Sequence, residues 1–135
     1  MTKKSLFISN LGWDNFDTDK VLNLLVKNNF KGIDIAPIRL DNNWSKVERK
    51  SKKLQKKLDF FRLRVNAIQG IFYKTNFNLF KPDQFKINNH LKKIIKIAKI
   101  FKCKKIRKRS TKIFKKIILS ILIKFINLFV LSWQS

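Results

Sequence analysis

The sequence predicts an α/β fold of parallel strands joined by helices, and three observations carry that expectation. Short apolar runs of strand length recur at residues 5–9, 33–36 and 64–69. Each is followed by a longer stretch whose apolar residues keep helical spacing, and turn-forming residues separate the two kinds of segment. Strands that alternate with helices in this way are joined by right-handed crossovers. A parallel sheet must be covered on both faces, so three or four such strands imply a barrel or a doubly wound sheet.

The first run, SLFIS, ends at NLGWD, where Asn10, Gly12 and Asp14 supply turn chemistry. Asp17 or Thr18 then offers an N-cap, and Val21, Leu22, Leu24 and Leu25 form a helical stripe. Gly32 reads as the breaker of that helix. The run 33–36 reads as a buried strand that Pro37 closes. A second helix is expected over residues 43–61, with Ser45 near its start and Val47, Leu54, Leu58 and Phe61 as its apolar positions. A third strand follows at 64–69 and stops at Gly70. Asp83 caps a third expected helix with Phe85, Leu91, Ile94, Ile95, Ala98 and Phe101 on its apolar face. Residues 102–106, KCKKI, look like the start of a fourth strand.

The chain has 135 residues, enough for one domain, and a formal charge of +24. Such a charge suggests an anionic partner, but composition offers a plainer source. Lys, Asn, Ile and Phe make up 70 residues, whereas Gly, Ala and Pro make up eight, the drift of an AT-rich coding sequence. Much of the lysine is therefore read as solvated surface. The lone cysteine, Cys103, excludes an internal disulfide and a cysteine-based metal cluster, and the lone histidine, His90, excludes a multi-imidazole zinc site. His90 lies in a helical stretch and reads as a packing or surface residue. The N-terminal apolar run is broken by Ser9, Asn10 and Asp14, which is unlike a signal peptide, so the body of the chain reads as cytoplasmic.

Functional residues in folds of this class sit beyond the C-terminal ends of the strands. That rule selects Asn10 and Trp13 after the first strand, Asp34 within the second and Gln69 at the end of the third as candidate substrate-binding residues. Asn10 can instead be a turn former, Trp13 core filler and Gln69 an amide satisfied by backbone. Asp34 is the sharpest candidate, because a carboxylate between Ile33 and Ile35 must be paired, hydrogen-bonded or turned toward a polar pocket.

The segments ISNLGWDNFD, LLVKNNFKGIDIAP, VNAIQGIFY and HLKKIIKIAKIFKCKKI, in this order and spacing, resemble the N-terminal part of the sugar phosphate isomerase/epimerase family. The likeness covers residues 5–106. It implies a partial (β/α) barrel of the xylose-isomerase-like TIM type, with the first three to four strand–helix units. The family pattern has Glu where Asp34 stands, and Gln-Ser where this chain has Gln69 and Gly70. The resemblance further implies a sugar or sugar phosphate substrate, and a divalent metal that assists proton transfer beside a carbonyl. In the family, the metal-binding carboxylates and histidine come mostly from later strands. This chain has no Asp or Glu after Asp83, so the expectation is a fragment without turnover of its own and without the metal.

Residues 107–135 differ in kind from what precedes them: basic first, then apolar, with +10 over residues 102–135 and no acid. Residues 107–111 can be encoded by AGG AAG CGC TCC ACA, a choice of synonymous codons that one nucleotide later reads Gly-Ser-Ala-Pro, a loop of the family's type. The tail is accordingly expected to be frameshift-derived, ending in an apolar helix, and DNA downstream that encoded no further barrel strands in another frame would refute this. An alternative reading is a membrane anchor. The 17 residues that begin with Ile117 and end with Trp133 fall just short of the ~20 needed to span, and Lys124 near their middle costs roughly 2.5–3.5 kcal/mol. A second alternative is nucleic-acid binding through the nine cations of residues 102–116. No aromatic stacking pattern or base-reading motif accompanies them, which argues against nucleic acid as a partner.

Overall fold

A computed structural model describes residues 4–78 and 80–107. Three parallel strands, β1 (Phe7–Ser9), β2 (Gly32–Ile35) and β3 (Arg64–Ile68), alternate with three helices, α1 (Thr18–Lys27), α2 (Trp44–Phe61) and α3 (Gln84–Ile100). The strands lie in sequential order, β1-β2-β3. Residues 105–107 extend the order past β3. Ile106 forms a parallel bridge with Ile68; Ile68 N–H donates to the Lys105 carbonyl at 2.9 Å and Arg107 N–H to the Ile68 carbonyl at 2.7 Å. Where a fourth strand is expected to start, the described residues make this single parallel bridge beside a three-stranded sheet.

Right-handed crossovers between strands laid down in one direction bring every helix to the same face of the sheet. Accordingly α1 packs on α2 and α2 on α3. Between helices and sheet lies one core, in which Ile33, Ile35, Val65 and Ile68 meet Leu22, Leu25, Leu54, Leu58, Leu91 and Ile94. Each such side chain contributes roughly 1.5–3 kcal/mol by leaving water.

All three helices end alike. Asn29, Arg62 and Lys102 take left-handed backbone at φ 60°, 54° and 52°. The next N–H in each case reaches back over the last turn: Phe30 to Leu25, Leu63 to Leu58 and Cys103 to Ala98, all at 2.9 Å. This is the Schellman arrangement, and in each copy the residue after the left-handed one packs on the core. Gly32 is thus not the breaker of α1. It opens β2 instead, where a Cβ would fall 1.7 Å from the Arg64 carbonyl oxygen, so the close approach of β2 to β3 requires glycine.

Other expectations shift by a residue or by a face. Asp17 stands at the N-cap of α1 without a side-chain capping bond. For α2 the cap is Asn43, which accepts from Ser45 N–H at 2.9 Å, and for α3 it is Asp83, as expected, accepting from Lys86 N–H at 3.2 Å. Leu24 is 49% exposed and Phe85 74%, so neither belongs to its helix's buried stripe; in α3 the buried positions include Ile87 and Ile97. No described helix is long and apolar enough to cross a membrane. The expected apolar C-terminal helix, including Ile117 to Trp133, lies outside the described residues.

Candidate functional site

The side chains of a strand alternate between faces, so the register decides which residues share the face opposite the helices. Phe7 lies opposite Gly32, Ser9 opposite Asp34, and Gly32 opposite Arg64. With Ile33 and Ile35 committed to the helix-covered core, Ser9 and Asp34 stand together on the other face near the strand C-termini. At the opposite end of that face the Arg64 guanidinium covers the Phe7 ring, 4.8 Å from its centroid. The register slips between Ile33 and Asp34: Ile33 pairs with Val65 but Asp34 with Ala67, which leaves Asn66 as an extra residue in β3. Such a bulge re-aims its side chain, and Asn66 turns toward Asp34.

Asp34 is 6% exposed and is held from two sides. Asn66 Nδ2 donates to its Oδ1 at 3.0 Å, and the Arg107 guanidinium lies 3.0 Å from its Oδ2. Arg107 itself remains 57% exposed. The Gln69 amide donates to the Ser9 hydroxyl, joining the ends of β1 and β3, while Gln69 N–H donates to the Ile35 carbonyl at 2.8 Å. Ser9, Asp34, Asn66, Gln69 and Arg107 thus gather at one end of the bare face. This arrangement offers hydrogen-bond donors and acceptors of both charge types to a polar ligand.

The other two candidates make contacts outside this cluster. Asn10 is 3% exposed and its amide is spent on β2: Ala36 N–H donates to its Oδ1 at 2.7 Å and its Nδ2 donates to the Ala36 carbonyl at 3.2 Å. It clamps the end of β1 to the end of β2. Trp13 packs partly buried against the core, and the loop it belongs to is fastened by the Arg39–Asp14 pair at 3.2 Å. Sequence reasoning therefore named Asp34 and Gln69 at the cluster but missed Ser9, Asn66 and Arg107. Asn66 could have been found as a polar side chain set between the apolar Val65 and Ala67.

His90 is buried between Trp44, Phe72 and Phe77, with Trp44 edge-on at 4.5 Å, and its Nε2 meets the Ile71 carbonyl. Burial, and secondarily Lys93, lower its pKa below the usual 6.5 against the opposing pull of the Ile71 carbonyl. It fills a packed aromatic cage, as expected of a packing residue. Cys103, 1% exposed, carries a thiol pushed up mainly by burial.

The donor set does not fit the divalent metal that the family resemblance implies. Among the described residues no three His, Cys, Asp or Glu side chains come together. No family model matches the chain, and no curated protein matches it.

Proposed function

We propose that residues 5–107 form the opening arc of a sugar isomerase/epimerase-like TIM barrel, and that the strand C-termini of this arc bind a sugar or sugar phosphate. The observation that carries the reading is Asp34. It is a nearly buried carboxylate on the strand face away from the helices, held ready by Asn66 and Arg107 beside Gln69 and Ser9. Sequential strand order, helices packed side by side and the parallel bridge of Ile106 to Ile68 support a barrel arc.

In this role Asp34 accepts hydrogen bonds from sugar hydroxyls, Gln69 supplies an amide, and the half-exposed Arg107 supplies positive charge for a phosphate. Proton transfer beside a carbonyl needs a second acid or base, and Asp34 is the one carboxylate of the cluster. The chain is accordingly a binding arc without turnover of its own. Titration with aldose and ketose phosphates, followed by NMR shifts of the Asn66 and Gln69 side-chain amides, tests this. Saturable shifts that Asp34→Asn abolishes support the proposal; shifts that survive Asp34→Asn, or none at millimolar ligand, refute it.

A further inference from the structure

We infer that the outward faces of α2 and α3 form one docking surface for an anionic lipid bilayer. This surface lies on the side of the sheet opposite Asp34 and does not depend on the sugar reading.

Charge is distributed unevenly over the three helices. The α1 helix carries two lysines and one aspartate, whereas α2 carries seven cations against two acids and α3 five cations and no acid. Both acids of α2 are engaged: Glu48 lies 3.4 Å from Lys52, and Asp59 accepts from the Gln55 amide at 2.9 Å. Compositional drift alone would scatter lysine over all exposed helix positions. Here it is concentrated on two helices that pack side by side.

Helical spacing arranges these cations in stripes. In α2 the buried set Val47, Ser51, Leu54 and Leu58 fixes the inward direction, and Arg49, Lys53, Lys56 and Phe60 fall on the opposite side, all exposed. In α3 the buried set Ile87, Leu91, Ile94 and Ala98 leaves Phe85, Lys92, Lys96 and Lys99 outward. Each stripe thus combines three cations with one phenylalanine, 82% exposed for Phe60 and 74% for Phe85. Phe60 meets the Phe61 ring edge-on at 5.2 Å, and both stripe phenylalanines keep most of their surface in water.

This combination suits a bilayer surface, where cations meet anionic headgroups and aromatic rings settle at the interface. Both helices run back antiparallel to the strands, so Phe60, near the end of α2, and Phe85, at the start of α3, stand at opposite ends of the patch. Single rings at opposite ends can anchor a flat contact. They do not form the succession of stacking platforms that a single-stranded nucleic acid needs.

Sedimentation of the full chain with vesicles tests the inference. Phosphatidylcholine vesicles containing 30% phosphatidylserine are compared with phosphatidylcholine alone, in low and high salt. The apolar run from Ile117 to Trp133 would bind both compositions alike, and the nine cations of residues 102–116 would add a serine-dependent part of their own, so the share of serine-dependent, salt-sensitive binding that is lost in variants of the helix residues reports the helix surface. Each of Lys53→Gln, Lys56→Gln, Lys92→Gln and Lys96→Gln is expected to lower the serine-dependent binding about five-fold. Phe60→Ser with every cation retained is also expected to weaken it, which separates interfacial insertion from charge alone. These positions are solvent-exposed, and unchanged circular dichroism confirms that each variant is folded. Equal binding to both vesicle types, insensitivity to the Gln substitutions, or preferential capture of a single-stranded oligonucleotide that abolishes vesicle binding would overturn the inference.

Discussion

The way Asp34 is held makes an ordering of mutational costs that runs against the usual weight given to ion pairs. Two partners satisfy the carboxylate, a neutral amide and a guanidinium, both at 3.0 Å. Arg107 is 57% exposed, so its attraction is screened by water and offset by side-chain entropy, which limits Arg107→Ala to about 1 kcal/mol or less. Asn66 is half-buried and donates to a charged oxygen that water scarcely reaches, so Asn66→Ala strips a charge-assisted bond worth about 1.5–3 kcal/mol. The double variant leaves the carboxylate without either partner and should lose more than the two single losses combined. Urea denaturation of the wild type, both single variants and the double variant measures all three quantities. Raising the salt should shrink the Arg107 effect and leave the Asn66 effect nearly unchanged. If Arg107→Ala costs more than Asn66→Ala, or if the costs simply add, the carboxylate is better solvated than its burial implies and the reasoning fails.

Three further outcomes follow from single contacts. Gly32→Ala places a Cβ 1.7 Å from the Arg64 carbonyl oxygen, a backbone atom that cannot rotate away, and should cost more than about 3 kcal/mol, seen as loss of cooperative unfolding. Burial holds the His90 pKa below 6.5, so its neutral form stabilises the fold above that pH, and stability should fall as the solution is acidified from pH 7.5 to 5.5. Denaturation midpoints of His90→Phe should lack that component. Cys103 is buried with its thiol pushed up, so labelling by a thiol reagent at pH 8 should proceed at the rate of structural opening and become fast only in denaturant.

What the sequence disclosed and what it withheld have distinct physical causes. The strands were legible because GIDI and RVNAI are apolar runs bounded by turn chemistry, and their order followed from the helices between them. The helix ends were not, since Asn29, Arg62 and Lys102 adopt left-handed backbone without being glycine. Backbone bonds that reach back over the last turn and an apolar anchor impose that conformation, and none of these is visible in the local residue type. Leu24 and Phe85 were placed inside because an apolar residue one step off the stripe looks the same in a list of spacings. Asp34 could be found as a charge in an apolar strand and Asn66 as a polar residue in another, but the pairing of Asp34 with Asn66 and Arg107 could not. Asn66 reaches it through a one-residue bulge, and Arg107 reaches it from the segment that is bridged to β3 at Ile106. Register is a tertiary property, and side-chain partnerships across strands inherit that.

The positions of the two proposed surfaces bear on how they could act together. A singly wound run of strand–helix units separates the sheet's bare face from its helix face by the full thickness of the core. The cluster at Asp34 and the cationic stripes of α2 and α3 therefore share no side chain. The bare face is the more constrained of the two, because in the described residues β1 pairs with β2 alone and leaves its other edge open. An open parallel edge and an uncovered polar row both call for further backbone beside them, which is what a barrel's remaining strands would supply. The helix surface needs no such completion, since its cations and its two phenylalanines are already exposed. Binding of a sugar phosphate should be read at the bare face and binding to anionic vesicles at the helix face. A ligand that saturates the Asp34 cluster should leave the vesicle affinity unchanged.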